Sequence, residues 1–88
     1  MKKVYVVYTD DCTTTLAVFD NVEKMVNWIC ADLATIQGSA DIIAEWFDME
    51  YADIEALLPY VKEKLMANPH YLDYYFYNVE EFWLNDEN

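Results

Sequence analysis

The segment Lys2–Thr9, KKVYVVYT, is β-branched or aromatic at nearly every position after its two lysines. Such residues favour extended backbone, and apolar side chains on both faces are typical of a strand in the interior of a sheet. We therefore predict that this segment is the central strand, buried on both faces, and that the other elements pack around it.

The segment after this strand indicates a β-hairpin. Residues 10–13 are polar and suit a turn, and residues 14–19 then alternate, with Leu16 and Val18 on one face. We predict a second strand over residues 14–19, antiparallel to the first.

A helix is predicted over residues 21–37. Asp20 and Glu23 have the spacing of a capping box, in which each side chain can accept a hydrogen bond from a free amide at the helix start. Gly38 provides the permissive residue that commonly ends a helix. The apolar residues recur with the period of one buried helical stripe, at Val22, Met25, Val26, Ile29, Leu33 and Ile36.

Two more helices are predicted over residues 40–49 and 51–67. Pro59 lies inside the second of them, and proline lacks an amide hydrogen and clashes with the preceding turn. We therefore expect a break in that helix near Leu58.

The aromatic residues 71–77 predict a third strand. Residues 78–80 then repeat the Asn-Val-Glu of residues 21–23, which predicts a short terminal helix over residues 79–84. Together these elements predict a single α+β domain covering residues 1–88, with the topology ββαααβ plus a short C-terminal helix. The sheet is expected to be antiparallel, with three strands in the order 2-1-3 and helices on one face.

The charge of the chain restricts its partners. Seventeen Asp and Glu oppose five Lys and no Arg, which gives a net charge of −12. Such a surface repels phosphate, so we expect no direct binding of nucleic acid and a basic protein as partner. No basic residue lies between Lys24 and Lys62, and the candidate partner-binding residues are six of the seven acids of that block, all between Ser39 and Glu55: Asp41, Glu45, Asp48, Glu50, Asp53 and Glu55.

A small, arginine-free chain with these acids on helices resembles the acidic anti-restriction and anti-CRISPR proteins of bacteriophages and mobile elements. The resemblance covers size, charge and layout, and no sequence motif carries it. It implies a stoichiometric inhibitor or decoy that competes with nucleic acid for a host defence nuclease. The alternative is that the acids only keep an aromatic-rich protein in solution.

A second interface is suggested by the tyrosines of the predicted third strand. Tyr71, Asp73, Tyr75 and Tyr77 would share one face of an edge strand, where tyrosine contributes contact area at low entropic cost. The alternative function is therefore a small structural or regulatory module that docks, or forms a homodimer, through this edge. The same face could instead be buried beneath residues 82–84.

The sequence contains few features that are typical of enzymes or metal sites. His70 is the only histidine, and no Ser or Cys lies near it in a recognisable nucleophile motif. Cys12 and Cys30 are too few for a zinc site or a secreted disulfide framework. We expect no enzymatic activity, no cofactor and no bound metal, with a carboxylate-based enzyme as a third alternative. No apolar run reaches membrane-spanning length, and the expected location is the cytoplasm of the host cell.

Overall fold

The computed structural model describes residues 2–48, 53–73 and 75–84. Its elements are β1 (Lys2–Thr9), β2 (Thr15–Phe19), α1 (Val22–Leu33), α2 (Ser39–Trp46), α3 (Ile54–Ala67) and β3 (Tyr77–Leu84). The predicted α+β class and the strand and helix order ββαααβ are confirmed.

The strand β1 is the centre of a three-stranded antiparallel sheet in the order β2-β1-β3, as predicted. It pairs with β2 from Tyr5↔Phe19 to Tyr8↔Thr15, with an irregularity between Val7 and Tyr8. On its other side, β1 pairs with β3 along its whole length, from Lys2↔Leu84 to Thr9↔Tyr77. Both edges of β1 are therefore satisfied by backbone hydrogen bonds, which explains its central position.

The third strand lies further along the chain than predicted, so the prediction for the C-terminal residues was wrong. The third strand is Tyr77–Leu84, so the expected terminal helix is absent, and most of the expected strand 71–77 forms turns. Asn78 contributes to this register, because its side-chain amide donates to the carbonyl oxygens of Thr9 (3.1 Å) and Asp10 (2.7 Å). The Asn-Val-Glu repeat is a local pattern, and pairing along the whole of β1 overrides it.

The helix α1 begins one residue later than expected. Its N-cap is Asn21, whose side-chain oxygen accepts from the amides of Glu23 (2.8 Å) and Lys24 (3.2 Å). Asp20 instead pairs with Lys2 and Lys24, so the predicted capping box does not form. The predicted buried stripe is present at Met25, Val26, Ile29 and Leu33.

The helix α3 is continuous through Pro59, so the expected break near Leu58 does not occur. Leu57, Val61 and Leu65 are fully buried on both sides of the proline, while Pro59 itself lies on the exposed face. A break in the helix at Pro59 would pull these side chains out of the core, so their burial favours a continuous helix.

The helices cover only one face of the sheet, and the expectation that β1 is buried on both faces was therefore wrong. Val7, Tyr77 and Val79 are buried in one cluster with residues of all three helices. Side chains alternate along a strand, so the neighbouring positions point to the opposite side. We call that side the open face, and by strand pairing and alternation it carries Lys2, Val4, Val6, Tyr8, Thr15, Leu16, Val18, Asn78, Glu80, Phe82 and Leu84.

Candidate binding surface

Three acids of the block between Lys24 and Lys62 meet at a groove between the N-terminal ends of α2 and α3. We call it the acidic groove; its volume is about 500 Å³, and it is lined by Ile36, Gly38, Ser39, Ala40, Asp41, Asp53, Ile54 and Glu55. Asp41 lies in the first turn of α2 and Glu55 in the first turn of α3. The fold thus brings together three of the predicted binding residues, Asp41, Asp53 and Glu55.

The connection between α1 and α2 positions Asp41 in the groove. Gly38 has a φ of 83°, in the left-handed region that favours glycine, and α2 begins at the next residue. Ser39 is buried and its hydroxyl donates to the carbonyl oxygen of Leu33 at 3.1 Å. This bond fixes the start of α2 against the end of α1, and with it the position of Asp41.

Two other predicted residues lie outside the groove. Glu45 is exposed on α2, one turn after Asp41. Asp48 is exposed but follows the end of the helix, with a φ of 54°. In the helix predicted over residues 40–49, Asp41, Glu45 and Asp48 would share one outward face at spacings of i, i+4 and i+7. Because α2 ends at Trp46, that row ends at Glu45. Glu50 lies outside the described residues.

The charge around these acids is poorly compensated. Within residues 2–48, 53–73 and 75–84, the ion pairs involve Asp20, Asp73 and Glu81, and none involves Asp41, Glu45, Asp48 or Glu55. The groove can therefore accept hydrogen bonds from the ammonium or guanidinium groups of another molecule.

An aromatic pocket lies at the opposite end of α2 from the groove. Trp46 lies 4.8 Å from Tyr75 and 6.2 Å from Tyr71 between ring centroids, with interplanar angles of 70° and 89°. These three rings line a cleft of about 200 Å³. Aromatic faces attract cations, so the cleft can hold a lysine or arginine side chain.

The four residues of the predicted tyrosine interface do not share a strand face. Tyr77 is buried, and its hydroxyl donates to the Asp32 carboxylate at 2.5 Å. Burial is the main cause of a raised pKa of Tyr77, and this hydrogen bond is the second cause. Tyr71 and Tyr75 line the aromatic pocket, and Tyr75 is 62% exposed. Asp73 belongs to a separate hydrogen-bond network.

That network is centred on His70, whose contacts the sequence did not predict. Its Nε2 lies 2.9 Å from Glu81 and its Nδ1 lies 3.1 Å from Asp73. Glu81 also pairs with Lys3 at 2.8 Å, and Asp73 accepts from the backbone amide of Val79 at 3.0 Å. The hydrogen bond with Glu81 and the contact with Asp73 raise the pKa of His70. The network ties the loop before β3 to both β3 and β1.

The position of Glu81 explains why this network was missed. A terminal helix was expected there, whereas on β3 Glu81 is the direct neighbour of Tyr5 on β1. Both ring nitrogens of His70 contact carboxylates, and these two contacts fix the orientation of the ring.

The described residues include no group of three or more His, Cys, Asp or Glu side chains that could hold a metal ion. None of the helices in the described parts of the chain is long and apolar enough to cross a bilayer. Comparison of the chain with protein-family models, curated proteins and solved structures finds no match. The fold and the surface therefore define the class as a small α+β domain with an acidic helical end.

Proposed function

We propose that this protein is a non-enzymatic, stoichiometric inhibitor or decoy that binds a basic, nucleic-acid-binding protein in the cytoplasm of a host cell. A defence nuclease of the restriction or CRISPR type is the partner that the charge pattern suits. The observation that carries the proposal is the gathering of Asp41, Asp53 and Glu55 at one groove, in a block of sequence without Lys or Arg.

The spacing of the acids supports competition with nucleic acid. Asp41 and Glu45 are four residues apart on α2, and side chains at this spacing are about 6 Å apart on a helix. Adjacent phosphates of a nucleic-acid strand have a comparable separation of about 6–7 Å. A channel whose Lys and Arg groups bind successive phosphates can therefore bind these carboxylates instead.

The aromatic pocket supports the same kind of partner. A cleft formed by Trp46, Tyr71 and Tyr75 can hold the cationic side chain of a protein, and α2 joins it to the acidic groove. Groove and pocket together offer contacts for several basic residues along one helix. Direct binding of DNA or RNA is not part of the proposal, because like charges repel.

The test is inhibition of purified restriction and CRISPR nucleases by the wild-type protein and by two matched triple variants. The first combines Asp41→Asn, Glu45→Gln and Glu55→Gln, and the second combines Asp10→Asn, Glu23→Gln and Glu63→Gln. Both remove three negative charges from exposed positions; the first includes two first-turn acids, Asp41 and Glu55, and the second includes one, Glu23.

Inhibition should saturate at one inhibitor per nuclease and weaken at least about tenfold in the first variant. It should also decrease with rising salt and with added guide RNA or DNA, because salt anions and nucleic acid compete with the inhibitor for the same Lys and Arg side chains of the nuclease. Equal weakening in both variants would show that only net charge matters. Full inhibition by the first variant would exclude the acidic groove from the mechanism.

A second candidate function is a small structural or regulatory module that docks through its sheet. The observation that favours it is the apolar open face, which replaces the tyrosine-rich edge expected from the sequence.

A further inference from the structure

The open face of the sheet is apolar where an outer face is normally polar. In an antiparallel sheet with helices on one side, outward positions usually alternate to polar residues. Here four outward side chains are large, apolar and substantially exposed: Leu16 at 40%, Val18 at 59%, Phe82 at 42% and Leu84 at 51%. Val4, Val6 and Tyr8 of β1 lie between them and are only partly buried.

We propose that a second copy of the chain covers the open face, so that two sheets pack face to face about a two-fold axis. This proposal does not depend on the acidic groove, which lies at the ends of α2 and α3. It also differs from the tyrosine edge that the sequence suggested, since Tyr71, Tyr75 and Tyr77 are not on the open face.

Charge complementarity favours a second copy over a basic partner. On the described strands, the open face carries one lysine, Lys2, and one acid, Glu80, in a chain with a net charge of −12. It is therefore an almost neutral surface on a strongly acidic molecule. A basic partner would find its counter-charges elsewhere, whereas a second copy offers the same apolar, nearly neutral surface.

The arrangement of the paired rows fits two-fold symmetry. Lys2 pairs with Leu84 at one end of the face, Val4 pairs with Phe82 in the next outward row, and Val6 pairs with Glu80 in the row after that. A two-fold axis that lies between the two sheets and runs along the Val4 and Phe82 row would bring Lys2 of each copy into the row that holds Glu80 of the other. A two-fold interface repeats every contact, so this complementary pair would form twice.

The size of the face predicts the strength of the association. The longer strands have eight residues, and at about 3.3 Å per residue and 4.8 Å between strands the sheet outline measures about 26 by 14 Å. The resulting patch of about 350–400 Å² is roughly half the area that a stable complex buries on each partner. We therefore expect a dimer with a dissociation constant in the micromolar range or weaker.

The experiment is sedimentation equilibrium of the full chain over a wide concentration range, at about 0.05 M and 0.5 M salt. Two variants place a charge on the open face, Val18→Lys and Phe82→Lys. The control is Met66→Lys on α3, which makes the same change in charge at a position 42% exposed, like Phe82. All three sites are exposed, and circular dichroism confirms that each variant is folded.

The wild-type chain and Met66→Lys should form dimers, more strongly at high salt because screening reduces the repulsion between two acidic copies. Val18→Lys and Phe82→Lys should each weaken dimerisation at least about tenfold. A wild-type chain that stays monomeric at about 1 mM and high salt would overturn the proposal. Equal dimerisation of all four proteins, or equal weakening by Met66→Lys, would do the same.

Discussion

The acidic residues near the sheet and those at the start of α2 and α3 have different surroundings. Near the sheet, Asp20 pairs with Lys2 and Lys24, and Glu81 pairs with Lys3 and His70. The lysines lower the pKa of both carboxyl groups. At the helical end, Asp41, Glu45 and Glu55 take part in none of the ion pairs found among the described residues.

This difference separates acids that support the fold from acids that are available to a partner. Asp41, Glu45 and Glu55 lie in the block between Lys24 and Lys62, which contains no basic residue. Neutralising an acid near the sheet should cost stability, whereas neutralising one at the helical end should cost binding. The predictions below test this contrast, beginning with the scaffold that both regions share.

The largest effect is expected from Leu57→Ala in the first half of α3. Leu57 is fully buried in the core, two residues after Glu55, and its truncation would leave a cavity there. The free energy of unfolding should fall by about 2–5 kcal/mol. Chemical denaturation measures this loss, and the exposed Met66→Ala should change stability by less than about 0.5 kcal/mol.

Gly38→Ala tests the backbone turn that positions Asp41. An added Cβ would meet no atom within 4 Å, so the cost comes from the φ of 83° alone. We expect a loss of about 1–2 kcal/mol in the free energy of unfolding. An unchanged denaturation midpoint would show that the turn between α1 and α2 does not depend on this conformation.

Glu81→Gln and Glu45→Gln compare the two kinds of acid directly, with the same chemical change. Glu81 loses its charged contacts with Lys3 and His70, and we expect a cost of about 1 kcal/mol. Glu45 lies near the negative end of the α2 dipole, so its neutralisation should leave stability unchanged or raise it by a few tenths of a kcal/mol. Equal losses would remove the contrast between the two regions.

The His70 network should make stability depend on pH. Its neighbours raise the folded-state pKa of His70 above 6.5, so its contribution is fully present below that pH and is lost as pH rises through the folded pKa. Glu81 has a lowered pKa, so its contribution is present above 4.5 and lost as pH falls. The network therefore stabilises most between these two limits.

The measurement is the difference in unfolding free energy between wild type and His70→Gln. It should be larger by roughly 0.5–1 kcal/mol at a pH near 5.5 than at pH 9, since the pairs are partly exposed. A difference that grows with pH would contradict the assignment of a raised pKa to His70.

The sequence predicted the elements whose pattern is local and strong. The alternating and β-branched residues gave β1 and β2, and the buried stripe of α1 was recognised at Met25, Val26, Ile29 and Leu33. The position of β3 could not be read in this way, because aromatic residues recur from Tyr71 to Trp83 and only pairing with β1 selects Tyr77–Leu84. The continuity of α3 depends likewise on burial at Leu57 and Val61.

The candidate surface was predictable in composition but not in arrangement. The absence of Lys and Arg between Lys24 and Lys62 identified the acidic block. The groove depends on where α2 begins, and the hydrogen bond from Ser39 to Leu33 fixes that start against the end of α1, across the turn at Gly38. The helix end at Trp46 separates Asp48 from Asp41 and Glu45, which spacing alone did not reveal.

The most direct test of the central claim is an NMR titration of the ¹⁵N-labelled protein with a short arginine-rich peptide. If the start of α2 and α3 is the uncompensated end, the largest amide shift changes should lie at residues 38–46 and 53–58. The matched variant Asp41→Asn, Glu45→Gln, Glu55→Gln should lose them, and the variant Asp10→Asn, Glu23→Gln, Glu63→Gln should retain them. Shift changes centred on Asp20, Glu80 and Glu81, or spread evenly over the molecule, would contradict the account.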